Sequence, residues 1–252
     1  MTSLSKFHGI IPARYHSTRF PGKPLVNILD KPMFWHVYTR ASQCQKLSTV
    51  LLATDDDRIF QAAEELGVRV VMTRSDHNSG TDRVLEAATA LGVMDEDVVV
   101  NIQGDEPALE PAMLTELLEP FGRPDIQVTT LARKMDTQEA NNPDRVKVVF
   151  SGDGRALYFS RATIPYPREA RNVPFYCHIG LYAFRMKVLR RFSGLQPTPL
   201  EECEKLEQLR LLESGIPIHV AVTSHKSIGV DRPEDVAVVE KIIREQNNPL
   251  KS

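Results

Sequence analysis

Short, wholly apolar runs alternate with longer mixed segments through the first half of the chain. Ile10 and Ile11 begin the series, and residues 49–54 (TVLLAT), 68–73 (VRVVMT) and 97–102 (DVVVNI) continue it. Compact apolar runs bounded by polar residues predict buried strands. Between them, residues 31–43, 58–66 and 82–91 carry apolar positions at mixed spacing with few breakers, and are predicted as helices. Asp55, Asp56 and Asp57 stand just ahead of the second helix, where carboxylates satisfy the free N–H groups of a helix start. Strand and helix in alternation mean crossover units and a mainly parallel sheet.

The pattern changes after about residue 125. Residues 127–132 and 145–150 (RVKVVF) read as strands, SGDGR at 151–155 as a turn, and 156–160 (ALYFS) as the returning partner of a hairpin. Residues 161–174, rich in Pro and Arg, read as an irregular arm, followed by strands at 176–184 (YCHIGLYAF) and 218–222. Residues 199–213 are predicted as one helix with Leu200, Leu206, Leu209 and Leu212 facing inward. GVDRPED at 229–235 opens a last helix ending near 245. With no internal repeat and no low-complexity linker, the expectation is an α/β fold in a single domain spanning 1–252, helices flanking the sheet and the second half elaborated.

Composition adds limits rather than detail. A chain of 252 residues with 42% apolar and 25% charged residues is long enough for a sizeable core. A net charge of −2 does not favour nucleic acid or an anionic membrane as partner. No apolar run is long enough to span a bilayer, and the N-terminus lacks the apolar core of a signal peptide. Three widely spaced cysteines, Cys44, Cys177 and Cys203, form no metal motif and no disulfide framework, and point to a reducing cytoplasm.

The densest chemistry lies just after the first apolar run, in GIIPARYHSTRFPGKPL. Arg14, Arg19 and Lys23 share this loop with two hydroxyls and several prolines and glycines, a set suited to a polyphosphate. A solvated basic loop is the plain alternative. Two known phosphate loops are excluded. Gly22-Lys23 is followed by Pro24 and no glycine stands five positions earlier, so this is no Walker loop; no G-x-G-x-x-G follows the first strand. In open parallel sheets ligands sit beyond the carboxyl ends of the strands. The basic loop, Asp55, the 74–83 loop and Asp105 all fall there. Asp105 follows a buried strand, and Asp231 precedes a helix after the last one. Two carboxylates facing a phosphate loop suit Mg²⁺, which is commonly held by one or two carboxylates plus substrate phosphates. Taken singly, Asp105 could be a turn residue and Asp231 a helix cap.

PARYHSTRFPGKPL, NIQGDEP, ALYFSRATIP, HIGLYAF, LEQLRLLESG and GVDRPEDV occur in this order over nearly the whole chain. Together they resemble the 3-deoxy-manno-octulosonate (Kdo) cytidylyltransferases. The resemblance implies a nucleotide-diphospho-sugar transferase type of fold, CTP and Kdo as substrates, Mg²⁺, a homodimer, and a place in lipopolysaccharide biosynthesis. It implies a nucleotide-binding half over 1–125 and a sugar-binding and dimerisation half over 126–252. By the same resemblance, Arg14, Arg19 and Lys23 match triphosphate ligands, and Asp105 and Asp231 match metal carboxylates. Ser79, Gly80 and Arg83 match the cytosine-side loop. Gln103, Arg161, His178, Tyr182, Glu207 and Gln208 match the sugar side. His16 and Arg232 depart from the family, which usually has a small residue and Thr there. The implied reaction is attack of the anomeric 2-hydroxyl on the α-phosphorus of CTP with loss of pyrophosphate. An 8-amino variant of Kdo is the nearest alternative substrate, and a non-catalytic nucleotide-binding protein the alternative of another class.

Overall fold

The structure is a computed structural model in which residues 5–16, 20–77, 79–169, 174–226 and 228–247 are described. In chain order the elements are β1 (Phe7–Ala13), β2 (Asn27–Ile28), β3 (Lys31–Pro32), α1 (Met33–Ser42), β4 (Thr49–Thr54), α2 (Asp57–Glu65), β5 (Val70–Met72), α3 (Gly80–Ala90), β6 (Val98–Asn101) and α4 (Pro111–Leu118). They continue with β7 (Val128–Met135), α5 (Thr137–Ala140), β8 (Lys147–Phe150), β9 (Ala156–Ser160), β10 (Phe175–Arg185), α6 (Met186–Ser193), α7 (Pro199–Glu204), α8 (Gln208–Glu213), β11 (His219–Thr223) and α9 (Asp235–Gln246). The chain forms two compact units, Met1–Leu114 with Ser227–Ser252, and Thr115–Lys226.

In the first unit β1 lies between β4 and β6, with β5 beyond β4, and these three pairings are parallel. The apolar runs explain this. Ile10, Ile11, Leu52, Val99 and Val100 are fully buried, so these strands have both faces covered. Ala13 is in register with Thr54, which brings the carboxyl ends of β1 and β4 to one edge. Helix α1 begins at Met33 rather than at residue 31. Lys31–Pro32 instead pairs with Asn27–Ile28, and Pro32, extended at ψ 150°, starts the helix. Helix α3 begins at Gly80, earlier than the pattern suggests, because the Ser79 hydroxyl caps it by accepting from the Asp82 amide. Val239 and Ile243 of α9 pack on Ile28, Met33, Ala108 and Val230.

The second unit has a mixed sheet. β7 pairs antiparallel with β10 and parallel with β11, and β8 pairs antiparallel with both β10 and β9. The hairpin β8–β9 turns where the SGDGR motif predicts, with Gly154 at φ +87°. The single helix predicted over 199–213 is two, α7 and α8, separated at Lys205, whose left-handed φ of 55° ends the first. The break resets the helical phase. Leu206 and Leu209 are buried as expected, but Leu211 takes the inward place assigned to Leu212, and Leu200 is 40% exposed. Helix α6, which the hydrophobic pattern did not single out, buries Met186, Val188, Leu189 and Phe192.

Candidate active site

In the first unit the chain leaves β1 and doubles back on itself. The Gly22 amide donates to the Tyr15 carbonyl at 2.9 Å. Gly22 has φ +71°, and a Cβ there would come within 3.2 Å of the Tyr15 ring, so glycine fits this position on both counts. The Arg58 guanidinium stacks 3.3 Å from the centre of the same ring while pairing with Asp56 at 2.7 Å. The entrance of the basic loop is thereby pinned to the start of α2. Gly104 sets the other side: a Cβ on it would lie 2.6 Å from the Pro12 carbonyl oxygen, so only glycine lets the QGDEP loop close onto the end of β1.

This closure brings charges together. Lys23 Nζ lies 2.7 Å from Asp105 Oδ2 and 3.8 Å from Asp231 Oδ1. Asp105 and Asp231 are neighbours because the Val230 amide donates to the Asp105 carbonyl at 2.9 Å. Asp231 lies well beyond the end of β11, in the segment entering α9. It does not act as that helix's cap: the Asp235 carboxylate accepts from the Asp231 and Arg232 amides, each at 2.8 Å, and these bonds hold its pKa below the usual carboxylate range. Two carboxylates converging on one positive charge form a donor set that fits a divalent cation. No group of three or more His, Cys, Asp or Glu side chains suited to a metal occurs among the described residues. A hard cation here would complete its shell from phosphate and water oxygens.

A cavity of about 310 Å³ opens beside this cluster. Arg14, exposed, lines it together with Lys23, Gln103 and Asp105; Ser79, Gly80 and Arg83 line it at the start of α3. Seven residues singled out in the sequence thus share one wall. Beside the Lys23–Asp105 pair, Ser79 and Arg83 also have structural partners. Ser79 Oγ contacts Asp82 Oδ2 at 3.0 Å, and Arg83, only 4% exposed, donates to Asp55 Oδ2 at 2.8 Å and Thr73 Oγ1 at 2.5 Å. Arg19 lies outside the described residues. A larger depression of about 690 Å³ in the second unit, around Ser151, Arg155 and Leu157, contains none of the candidates.

The second unit holds a second cluster. A bulge in β10 falls between Ile179 and Tyr182, and Thr130 Oγ1 fills it, lying 3.2 Å from the Ile179 carbonyl and 2.9 Å from that of Leu181. Thr130 Oγ1 is also 3.0 Å from His178 Nε2. The His178 and Tyr182 rings are 5.4 Å apart, and Phe159 meets His178 edge-on at 5.0 Å. Burial pushes the His178 imidazole down to about 3, so it is neutral at physiological pH. Burial raises the Tyr182 phenol well above its usual value, opposed by the nearby Thr130 hydroxyl and reinforced by the Glu207 carboxylate. Tyr182 Oη is buried near Thr130 but forms no hydrogen bond of good geometry among the described residues, because the Thr130 hydroxyl is directed at the two carbonyls. Gln208 Nε2 is likewise buried and unpartnered. Unsatisfied buried polar atoms such as these, one on β10 and one on α8, are costly unless a polar ligand meets them.

Arg161 is braced from several sides. Its amide donates to Glu204 Oε2 at 2.9 Å, and its carbonyl accepts from the fully buried Lys147 at 2.5 Å. Its guanidinium donates only to main-chain carbonyls among the described residues, those of Glu204 at 2.8 Å and Pro143 at 3.3 Å. It meets no carboxylate there, so its charge is oriented but not neutralised. The supports Glu204 and Lys147 are not legible in the sequence, since they meet Arg161 only through chain folding.

A family model described as Cytidylyltransferase matches residues 8–227. The chain is 58% identical to the 3-deoxy-manno-octulosonate cytidylyltransferase of Nitratidesulfovibrio vulgaris (strain DP4), over 98% of this chain and 100% of that protein. It is 47% identical to the 8-amino-3,8-dideoxy-manno-octulosonate cytidylyltransferase of Shewanella halifaxensis, over 92% and 96% of the two chains. Among solved structures, that of CMP:2-keto-3-deoxy-manno-octonic acid synthetase complexed with CTP matches with a TM-score of 0.92 at 42% identity, covering 96% of this chain and 100% of that one.

Proposed function

The chain belongs to the 3-deoxy-manno-octulosonate cytidylyltransferase family, and from that premise we propose that it transfers CMP from CTP to the anomeric hydroxyl of Kdo, releasing pyrophosphate, as a step toward lipopolysaccharide. The observation that carries this reading is the Asp105–Lys23–Asp231 cluster on the wall of the cavity that Arg14 also lines.

In this reading Arg14 and Lys23, with Arg19 of the same loop, grip the β- and γ-phosphates and stabilise charge building on the leaving pyrophosphate. Ser79 and Gly80 offer the start of α3 to the cytidine, and Arg83 holds that loop through Asp55. Asp105 and Asp231 would hold Mg²⁺. When bound, the ion lowers the pKa of the attacking hydroxyl and offsets charge on the α-phosphate. Arg161 pairs with the Kdo carboxylate, for which a guanidinium free of carboxylates is suited. Tyr182, Gln208 and Gln103 hydrogen-bond sugar hydroxyls, and Glu207 accepts from another. His178, being neutral, orients the pocket without adding charge. No protein nucleophile is needed. Cys44 and Cys177 are buried, so core packing accounts for them.

A homodimer and a cytoplasmic setting belong to the same proposal. Among the described residues no helix is long and apolar enough to cross a membrane. The 8-amino sugar is the second reading, favoured by the Shewanella halifaxensis relative. A non-catalytic nucleotide binder would have no need of the paired carboxylates.

Two tests follow from the geometry. Pyrophosphate release is expected only when CTP, Kdo and Mg²⁺ are present together, and chelation should abolish it; release without metal would remove Asp105 and Asp231 from their role. Tyr182→Phe separates function from folding. Deleting an unpaired buried hydroxyl should leave thermal stability unchanged or raise it, while KM for Kdo rises roughly tenfold. A loss of stability with sugar KM unchanged would make the hydroxyl structural.

A further inference from the structure

Glu86 and His77 have no place in the account above, yet they meet at the cavity. Both Glu86 carboxylate oxygens approach the Arg74 amide, at 3.2 and 3.3 Å, and Oε2 makes a very short contact with His77 Nε2. One side chain of α3 thus ties down two points of the 74–77 loop. His77 is a lining residue of the same cavity as Ser79 and Gly80, and its side chain is only 9% exposed. An ionised carboxylate can only accept. In a neutral imidazole the nitrogen that faces Glu86, Nε2, is the one that carries the proton, and Nδ1 is then the acceptor. Nδ1 has no hydrogen-bond partner among the described residues.

We propose that His77 reads the base at its 4-position, and that Glu86 is the positioning residue that fixes the His77 tautomer. The inference rests on the reading of this cavity as the CTP site. Cytosine carries at that position an amino group, which donates; uracil carries a carbonyl, which only accepts. A fixed imidazole acceptor pairs with the first and opposes the second. Arg14, Lys23 and Arg83 on the same wall only donate, so they cannot produce this preference, and Gln103, whose amide can both donate and accept, is assigned to the sugar. Asp105 is engaged with Lys23, and Ser79 with Asp82. A buried group that must be paired discriminates more strongly than one in water.

The test is equilibrium binding of CTP and UTP to the whole protein, without sugar, by calorimetry. Wild type should prefer CTP. His77→Phe keeps the ring volume but removes the acceptor, and should lower the CTP-to-UTP affinity ratio about tenfold, chiefly by weakening CTP. Glu86→Met should lower the ratio too, because it keeps the side-chain length but offers Nε2 no acceptor, so the proton is no longer held away from Nδ1. A purely structural role for the pair would weaken both nucleotides alike and leave the ratio intact. An unchanged ratio in either variant, with the unfolding temperature near that of wild type, overturns the inference. A wild-type protein that binds neither nucleotide overturns the CTP-site reading, and this inference with it.

Discussion

Asp105→Asn should lower kcat by roughly a thousandfold, several kcal/mol of transition-state stabilisation, and leave the fold intact. The asymmetry between the two effects is the informative part. Lys23 keeps a second partner in Asp231 at 3.8 Å, and Asp105 itself is about one-third exposed, so the lost ion pair costs on the order of 1 kcal/mol of stability. The amide has nearly the same shape, so the Val230-to-Asp105 main-chain bond that joins the two loops should persist. Asp231→Asn should behave similarly, since the reading gives the two carboxylates one task. Steady-state kinetics and thermal unfolding of both variants check this. Near-normal turnover in either would take that residue out of the mechanism. A collapse of the fold in Asp105→Asn would mean that its pairing with Lys23 is mainly structural.

Arg161→Met should raise KM for Kdo by about tenfold to a hundredfold, with KM for CTP little changed, because a charge-assisted contact to a carboxylate is worth about 1.5–3 kcal/mol. Methionine keeps much of the stem packing. It also gives up the bonds to the Glu204 and Pro143 carbonyls, so some stability is lost as well. Arg161→Lys separates the two effects: it keeps the charge but loses the planar fork, and should recover part of the sugar affinity. Equal damage to the KM of both substrates would show that Arg161 shapes the second unit rather than binding sugar. A sugar KM within twofold of wild type would contradict the assignment outright.

Much of this site could be read before the structure, and the reasons are physical. Residues 10–11, 49–54 and 97–102 are apolar on both faces, and a strand buried on both sides has little choice but the middle of a parallel sheet. Once those strands are placed, topology fixes where their carboxyl ends lie, so the basic loop, Ser79 and Asp105 were bound to meet. Other features depended on contacts that no local pattern records. The break at Lys205 uses a left-handed residue that is not glycine, so the usual signal for a helix end is missing. Asp231 reaches Lys23 through a loop-to-loop bond between residues far apart in sequence. His77 and Glu86 sit in and beside a polar stretch in which nearly every residue could serve a turn. Only the fold shows that one carboxylate holds both the Arg74 amide and the His77 ring. The supports of Arg161 are likewise distant in sequence, Glu204 being 43 positions away.

On the proposed function, this cavity and its paired carboxylates join CMP to an acidic eight-carbon sugar. Pyrophosphate release from CTP and Mg²⁺, measured side by side with Kdo, with 8-amino-3,8-dideoxy-manno-octulosonate and with no sugar, tests it most directly. Rapid release with Kdo, much slower release with the amino sugar and none without sugar is the result predicted. Release with the amino sugar alone would move the substrate to the second reading, and no release with any of the three would contradict the claim.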